Sequence, residues 1–226
     1  MENFKQINNM PKIGFCITQH PLEVGAGMSQ EYLKVVKDEF PRNSITFIPF
    51  EKIIDNDITA KEAGMYFREQ NIDILVAIQS SWSNDYHIVD ILEYVAVPVV
   101  LWAVPGMENG SLCGIHQLGV VLYEIEKKYK IFYGEIRDKK IQEEIISFCR
   151  ASALKNFLRR QKIGLIGYRV NGMTEVTFDE FELKRKFGPR VIHFGINTLL
   201  EAASAISKNE AAKVWDSIKT IIGVSA

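Results

Sequence analysis

The sequence predicts an α/β protein, a doubly wound parallel-sheet domain followed by an incomplete second α/β unit. Three observations carry that expectation. Val97–Val104 is an unbroken apolar run rich in β-branched residues, as a strand covered on both faces requires. Asp73–Gln79 is almost as apolar. Between such runs stand helical patterns, and the alternation repeats at roughly the 30-residue spacing of a βαβ unit, which makes the strands parallel. The first domain is therefore expected to be Rossmann-like.

Each element has a local cause. Lys12–Thr18 is the first strand, followed by Gln19-His20-Pro21 and a glycine-containing loop to Met28. Ser29 stands where it would cap a helix whose apolar positions Tyr32, Leu33, Val36 and Phe40 fall at helical spacing. Ser44–Phe50 is a second short strand. Thr59 and Glu62 have capping-box spacing for a helix to about Gln70. The third strand, Asp73–Gln79, ends in Ser80-Ser81-Trp82-Ser83-Asn84, and a helix over Asp85–Tyr94 returns the chain to Val97. Pro98 is tolerated at a strand start, and Pro105-Gly106 stops the strand. A polar loop then leads through Ser111 into a helix over Leu112–Lys128. Ile131–Tyr133 is a short fifth strand, and Ile141–Leu158 a long amphipathic helix with a basic end, Arg159-Arg160.

A new cycle opens at Lys162–Gly167, so a boundary is placed near Gln161, giving domains over 1–161 and 162–226. Thr177 with Glu180 caps a helix ending at Phe187-Gly188. Val191–Phe194 is a strand, Asn197–Ile206 a helix, and Ser207 with Glu210 caps the last helix. Two strands bury too little to be stable alone. The second unit is therefore expected to pack on the first domain, a partner, or residues beyond this chain.

Composition excludes several classes. Of the 226 residues 47% are apolar and 24% charged, which suits a packed core and not disorder. The net charge is −1 with no basic block, so no nucleic-acid partner is expected. No apolar run reaches the roughly 20 residues of a membrane span. Met1–Met10 is polar and lacks the apolar core of a signal peptide, so the expected location is cytoplasmic. The three cysteines, Cys16, Cys113 and Cys149, are far apart and read as reduced packing residues, not as a disulfide framework or a zinc site.

Doubly wound sheets bind ligands just past the carboxyl ends of their strands. That rule selects Gln19 and His20 after the first strand, Trp82 after the third, and Glu108, Asn109 and Ser111 after the fourth, with His116 in the next helix. A tryptophan in a strand-end loop can stack on a sugar face or fill an interface. His20 and His116 are equally readable as surface histidines. Trp102, inside its strand, is core, and His193 reads as a packing or edge residue. His87, Asp85 and Asp90 are not spaced to put three ligands on one helix face, so no metal site is expected there. Gly164 to Gly172 departs from Gly-x-Gly-x-x-Gly, and Tyr168-Arg169 would crowd a pyrophosphate, so no NAD site is read from it. No catalytic set emerges: Ser111 has no arranged base, and neither paired carboxylates nor metal-ligand spacing is found.

A family resemblance adds to this. Ser111-Leu-Cys-Gly114 after Trp102-Ala-Val-Pro, then Arg160-Gln-Lys-Ile-Gly-Leu-Ile-Gly167, Gly172-Met173, Phe178-Asp179-Glu180 and Phe187-Gly188, resemble the L-fucose/L-arabinose isomerase superfamily, and within it the fucose isomerase-like proteins. Gln19-His20 resembles the Gln-His at the same place in arabinose isomerases. The likeness runs from about Lys12 to Ile206. It implies metal-dependent interconversion of an aldose and a ketose, usually with Mn²⁺, through an enediol. It also implies a small-molecule sugar substrate, two N-terminal Rossmann-like domains, and active sites formed between subunits of a trimer or hexamer. By resemblance Gln19 is a substrate-side glutamine, Trp82 a substrate-contacting tryptophan, and Met173 a pocket methionine. The loop Glu108–Gly114 matches one that carries a substrate-side histidine in arabinose isomerases; here Cys113 is the nearest equivalent, which leaves the sugar open.

The resemblance implies the N-terminal, substrate- and oligomer-contact portion of such an isomerase, with the metal ligands, two carboxylates and a histidine, beyond the point where this sequence stops. The alternative is a non-catalytic sugar-binding, regulatory or assembly module of the same fold. Moving a proton between sugar carbons needs a base and an electrophile that holds the enediolate. A hard divalent ion in that role wants convergent oxygen ligands, and no stretch of the sequence offers them. Incubated with Mn²⁺ and L-fucose, L-arabinose or D-arabinose, the isolated chain is expected to yield no ketose above background; metal-dependent ketose formation would defeat the partial-chain reading.

Overall fold

Strand alternation organises the first unit. In β3 (Ile74–Gln79) every residue is buried, and so is every residue of β4 (Val99–Ala103), because helices cover both faces. Ile74, Val76 and Ile78 face one way with Ile13, Phe15, Ile17, Val100 and Trp102; Leu75 and Ala77 face the other way with Cys16, Val99 and Leu101. The computed structural model describes residues 10–222; Met1–Asn9, most of the polar leading stretch, lie outside the described residues.

With β1 (Lys12–Thr18), β2 (Thr46–Pro49) and β5 (Tyr129–Tyr133) these strands form one five-stranded sheet in the order β2-β1-β3-β4-β5, all pairs parallel. Helices α1 (Ser29–Glu39) and α5 (Lys139–Arg159) supply Leu33, Val36, Ile145 and Cys149 to one face. Helices α2 (Asp57–Gln70), α3 (Tyr86–Tyr94) and α4 (Ser111–Glu124) supply Phe67, Ile88, Ile91, Ile115 and Leu118 to the other. This is the doubly wound, Rossmann-like α/β arrangement, with the strands ending at Thr18, Gln79 and Ala103 side by side.

The polypeptide clusters into two compact units, Met1–Asn156 and Phe157–Ala226. The second holds β6 (Lys162–Ile166), α6 (Glu180–Lys186), β7 (Arg190–Phe194), α7 (Ile196–Ser204) and α8 (Lys208–Ile222), with β6 and β7 paired in parallel. All of β6 is exposed, and Gly188 and Pro189 are the buried residues among those described in this unit. Among the described residues no helix is long and apolar enough to cross a membrane.

Several local expectations are corrected. Ser29 does not cap α1; it is buried, and its hydroxyl turns to Gln19 and Ser80 instead. The cap of α2 is Asn56, whose Oδ1 accepts from Thr59 N at 3.0 Å, while Glu62 pairs with Lys52 at 2.7 Å. Asp179, not Thr177, caps α6 through the N–H groups of Phe181 and Glu182. At α2 and α6 a side chain that reaches the free N–H groups takes the cap in place of the expected Thr, and at α1 no side chain caps the helix. Ser207 with Glu210 does form the box, the Glu210 N–H donating to Ser207 Oγ at 3.2 Å. Helix α4 stops at Glu124, short of Lys128, because Glu126 turns left-handed (φ 56°) and Lys127 N–H closes on Leu122 O at 2.8 Å. That early stop lets β5 begin at Tyr129, two residues before the expected start.

Phe67 anchors the α2 side of the core. It is fully buried, and a Cβ on Gly14 of β1 would lie 2.9 Å from its ring, so strand and ring are in direct contact. Phe67→Ala is expected to destabilise the first unit by about 3–5 kcal/mol, read as a lower urea midpoint for the unfolding of that unit.

Candidate functional site

The chain winds from β1 outward to β2 on one side and from β3 through β4 to β5 on the other. The winding reverses between β1 and β3, which is where an open α/β sheet leaves a crevice at its carboxyl edge. Apolar strands end there in hydroxyl and amide residues. Thr18, Gln79, Ser80, Ser81, Ser83 and Ser111 are all buried polar side chains at the ends of β1 and β3 or at the start of α4.

These groups bond one another. Ser83 Oγ donates to Thr18 Oγ1 at 3.0 Å and accepts from Gln79 Nε2 at 2.9 Å. Ser29 Oγ lies 2.6 Å from Ser80 Oγ and also donates to Gln19 Oε1. Ser111 Oγ donates to Gln79 O at 2.6 Å and accepts from Val104 N–H at 2.9 Å. Asn109 fixes the loop between β4 and α4, its Nδ2 donating to Pro105 O and its Oδ1 accepting from Ser111 N–H, both at 2.9 Å. Gln79 Oε1 is the exception, buried with no partner among the described residues; the other bonds hold these side chains in one arrangement.

On it sit two rings. His20 and Trp82 have centroids 5.6 Å apart, tilted at 54°. The His20 N–H donates to Ser81 Oγ at 3.1 Å and the Trp82 N–H to Asn109 O at 2.7 Å, so the loops after β1, β3 and β4 are joined. The indole N–H donates to Gln117 Oε1 at 3.0 Å, and Gln117 Nε2 donates to Asp85 Oδ2 at 3.0 Å. Gly110, at φ +67°, lets α4 start against Trp82; a Cβ there would stand 2.9 Å from the Trp82 Cβ. The buried Gly25 likewise seats the turn Val24–Met28 on the crevice, since its Cβ would strike Ser80 O and come within 2.8 Å of the Asn109 Cβ.

Of the residues selected from sequence, Gln19, His20, Trp82, Asn109 and Ser111 come together. Ser111 is wholly buried and serves as a clamp, out of reach of a ligand. Glu108 is exposed on the loop. His116 is exposed in α4 and, with Met107, Leu112, Cys113 and Tyr133, lines a separate cavity of about 410 Å³. Met173 belongs to the second unit, where it is 43% exposed. Cys113 corrects an expectation, for it is exposed and no packing residue. Cys16 and Cys149 are buried, and burial raises both thiols, Cys149 to about 12. His193 lies on an edge strand, β7 of the two-stranded pair, where it is half-exposed and pairs with Glu180 at 2.6 Å.

Sequence reasoning missed Gln117 and the role of Asp85, because Gln117 lies 35 residues from Trp82 and 32 from Asp85 and only the fold brings it to them. The serine run after β3 was a signal: small hydroxyl residues directly after a fully apolar strand have buried backbone to satisfy. Among the described residues no three His, Cys, Asp or Glu side chains converge as a cation's ligands would. The described residues thus do not fit a resident Mn²⁺, and no chemical step is assigned to one.

Over 111 residues, 49% of this chain, the sequence is 22% identical to L-arabinose isomerase 2 of Clostridium acetobutylicum. The chain is similar to a sugar isomerase. The matched stretch covers 23% of that enzyme's length. No family model matches the chain.

The clamp can be tested directly. Ser111→Ala leaves the Val104 N–H and the Gln79 carbonyl buried without their partner, at an expected cost of about 1–3 kcal/mol. Urea unfolding should register the loss, and amide exchange at Val104 should speed up.

Proposed function

We propose that this chain is the substrate- and oligomer-contact portion of an aldose–ketose isomerase of the L-arabinose/L-fucose type, and that the crevice between β1 and β3 receives the sugar. The observation that carries the reading is the pair of His20 and Trp82 beside Gln19 and Ser81 at the point where the sheet's winding reverses. A sugar presents a C–H face that an aromatic ring covers and a rim of hydroxyls that fixed amide, imidazole and hydroxyl groups bond. Trp82 is held for that task, its N–H engaged by Gln117 so that the ring faces are set. Similarity to L-arabinose isomerase 2 supports the sugar class, and the motifs around Ser111 and Gly167 favour the fucose isomerase-like group within it.

In this reading a divalent ion such as Mn²⁺ is held by residues other than those described, and a homo-oligomer brings the crevice to that centre. Binding and orientation are this chain's share of the work. The second reading, a non-catalytic sugar-binding or assembly module, uses the same crevice and needs no ion.

The chain has three tryptophans, Trp82, Trp102 and Trp215, hence three indole N–H resonances. Titration with L-arabinose or L-fucose is expected to shift the Trp82 resonance and leave that of the core residue Trp102 in place. Trp82→Ala should abolish the heat of sugar binding. A shift confined to Trp215, in the second unit, would overturn the site.

A further inference from the structure

His87 lies in the first turn of α3, fully buried, and neither ring nitrogen has a hydrogen-bond partner among the described residues. Buried polar groups are almost always bonded, so an imidazole with both nitrogens idle calls for a physical role. Its surroundings are specific. Ile54 is bridged to Thr18 at the end of β1, which carries Asp55 and Asp57 to the same end of the sheet. Asp55 and Asp57, Asp90 one turn further along α3, and His20 beyond β1 are the charged and titratable groups acting on the ring. Tyr86 packs edge-on against it, centroids 4.8 Å apart at 80°. Burial favours the neutral imidazole and lowers its pKa from the ordinary 6.5, against the opposing pull of the three carboxylates. The neutral imidazole suits this dry setting, and a proton on the ring would be drawn toward the three carboxylates.

The start of α3 is also wired to the crevice. Asp85, two residues before His87, accepts the N–H groups of Ile88 and Val89 on its carbonyl and the Gln117 amide on its side chain. Gln117 in turn holds the Trp82 indole at 3.0 Å. Asn84 Nδ2 donates to the Tyr86 hydroxyl at 2.8 Å, tying the same loop to the helix.

We propose that His87 is a proton sensor for the crevice: on taking up one proton its ring leaves the interior for Asp55, Asp57 and Asp90, the first turn of α3 moves with it, and the chain from Asp85 through Gln117 releases Trp82. The proton comes from solvent, and no covalent bond is made or broken. The neutral form is the closed form. Above 6.5 both folded and unfolded chains carry His87 uncharged, so the arrangement is intact; as the pH falls below that value the burial of the neutral ring is increasingly opposed. The consequence for ligands rests on the sugar-crevice reading. Affinity should fall on the acid side by at most about tenfold per pH unit, the limit for one linked proton.

The first test needs no sugar. In the free chain, the Trp82 indole N–H and the His87 ring C–H resonances are followed from neutral pH downward. They are expected to titrate together with a midpoint below 6.5, while the amide dispersion of β3 and β4 persists. His87→Phe should leave the chain folded at neutral pH and abolish the Trp82 titration. A Trp82 titration unchanged in His87→Phe overturns the proposal, and so does a Trp82 resonance indifferent to acid. A His87 resonance that titrates with no answering movement at Trp82 overturns it too, and that measurement requires no variant. If the two resonances titrate together but L-arabinose and L-fucose shift nothing, the sensor stands and the sugar reading falls.

Discussion

One hydroxyl decides the geometry of the carboxyl edge. Ser111 Oγ stands between the Val104 N–H and the Gln79 carbonyl, so a single oxygen ties the end of β4, the end of β3 and the first residue of α4. Where parallel strands end, their last backbone groups lose the ladder and must find partners or remain unpaired in the interior. Ser111 meets that demand with one donor and one acceptor. The loop from Pro105 to Gly110 is consequently drawn tight over the strand ends, and Asn109 can reach Trp82 with its carbonyl. Removing the hydroxyl would free two strand ends at once, which is why the arrangement of Trp82 depends on a residue it does not touch.

Much of this fold is legible in the sequence. The apolar runs at Ile13, Leu75 and Val99 have no polar face, and only a helix-covered parallel sheet accommodates that. The crevice residues follow from topology, since Gln19, Trp82 and Asn109 each come just after a strand. The capping residues are less legible. Ser29, Thr59 and Thr177 all have suitable spacing, yet Asn56 and Asp179 win their helices because tertiary packing decides which oxygen reaches the free N–H groups. Ser29 fails for a different reason: the crevice network needs its hydroxyl more than the helix does. Gln117 and His87 could not be assigned from spacing, because their meaning comes from segments that only the fold brings near.

The crevice also illustrates how a low-dielectric edge handles polarity. Its buried hydroxyls are neutral and linked in pairs, so none carries a charge into the interior. The carboxylates stand away from it: Asp55, half-buried, on the segment leading into α2, and Asp57, exposed, as the first residue of that helix.

The placement of β1 has a consequence for how the chain is made. β1 lies between β2 and β3, and its junction with β3 is sealed by the Lys12 N–H on Asp73 Oδ2, residues 61 apart in sequence. During synthesis β1 leaves the ribosome first, yet one of its edges must wait until β3 has followed. Through that interval Ile13, Phe15 and Ile17 belong to a strand with an open flank, the kind of intermediate that invites chaperones or mispairing. Translation speed across the α2 segment thus sets how long the nascent sheet stays unfinished.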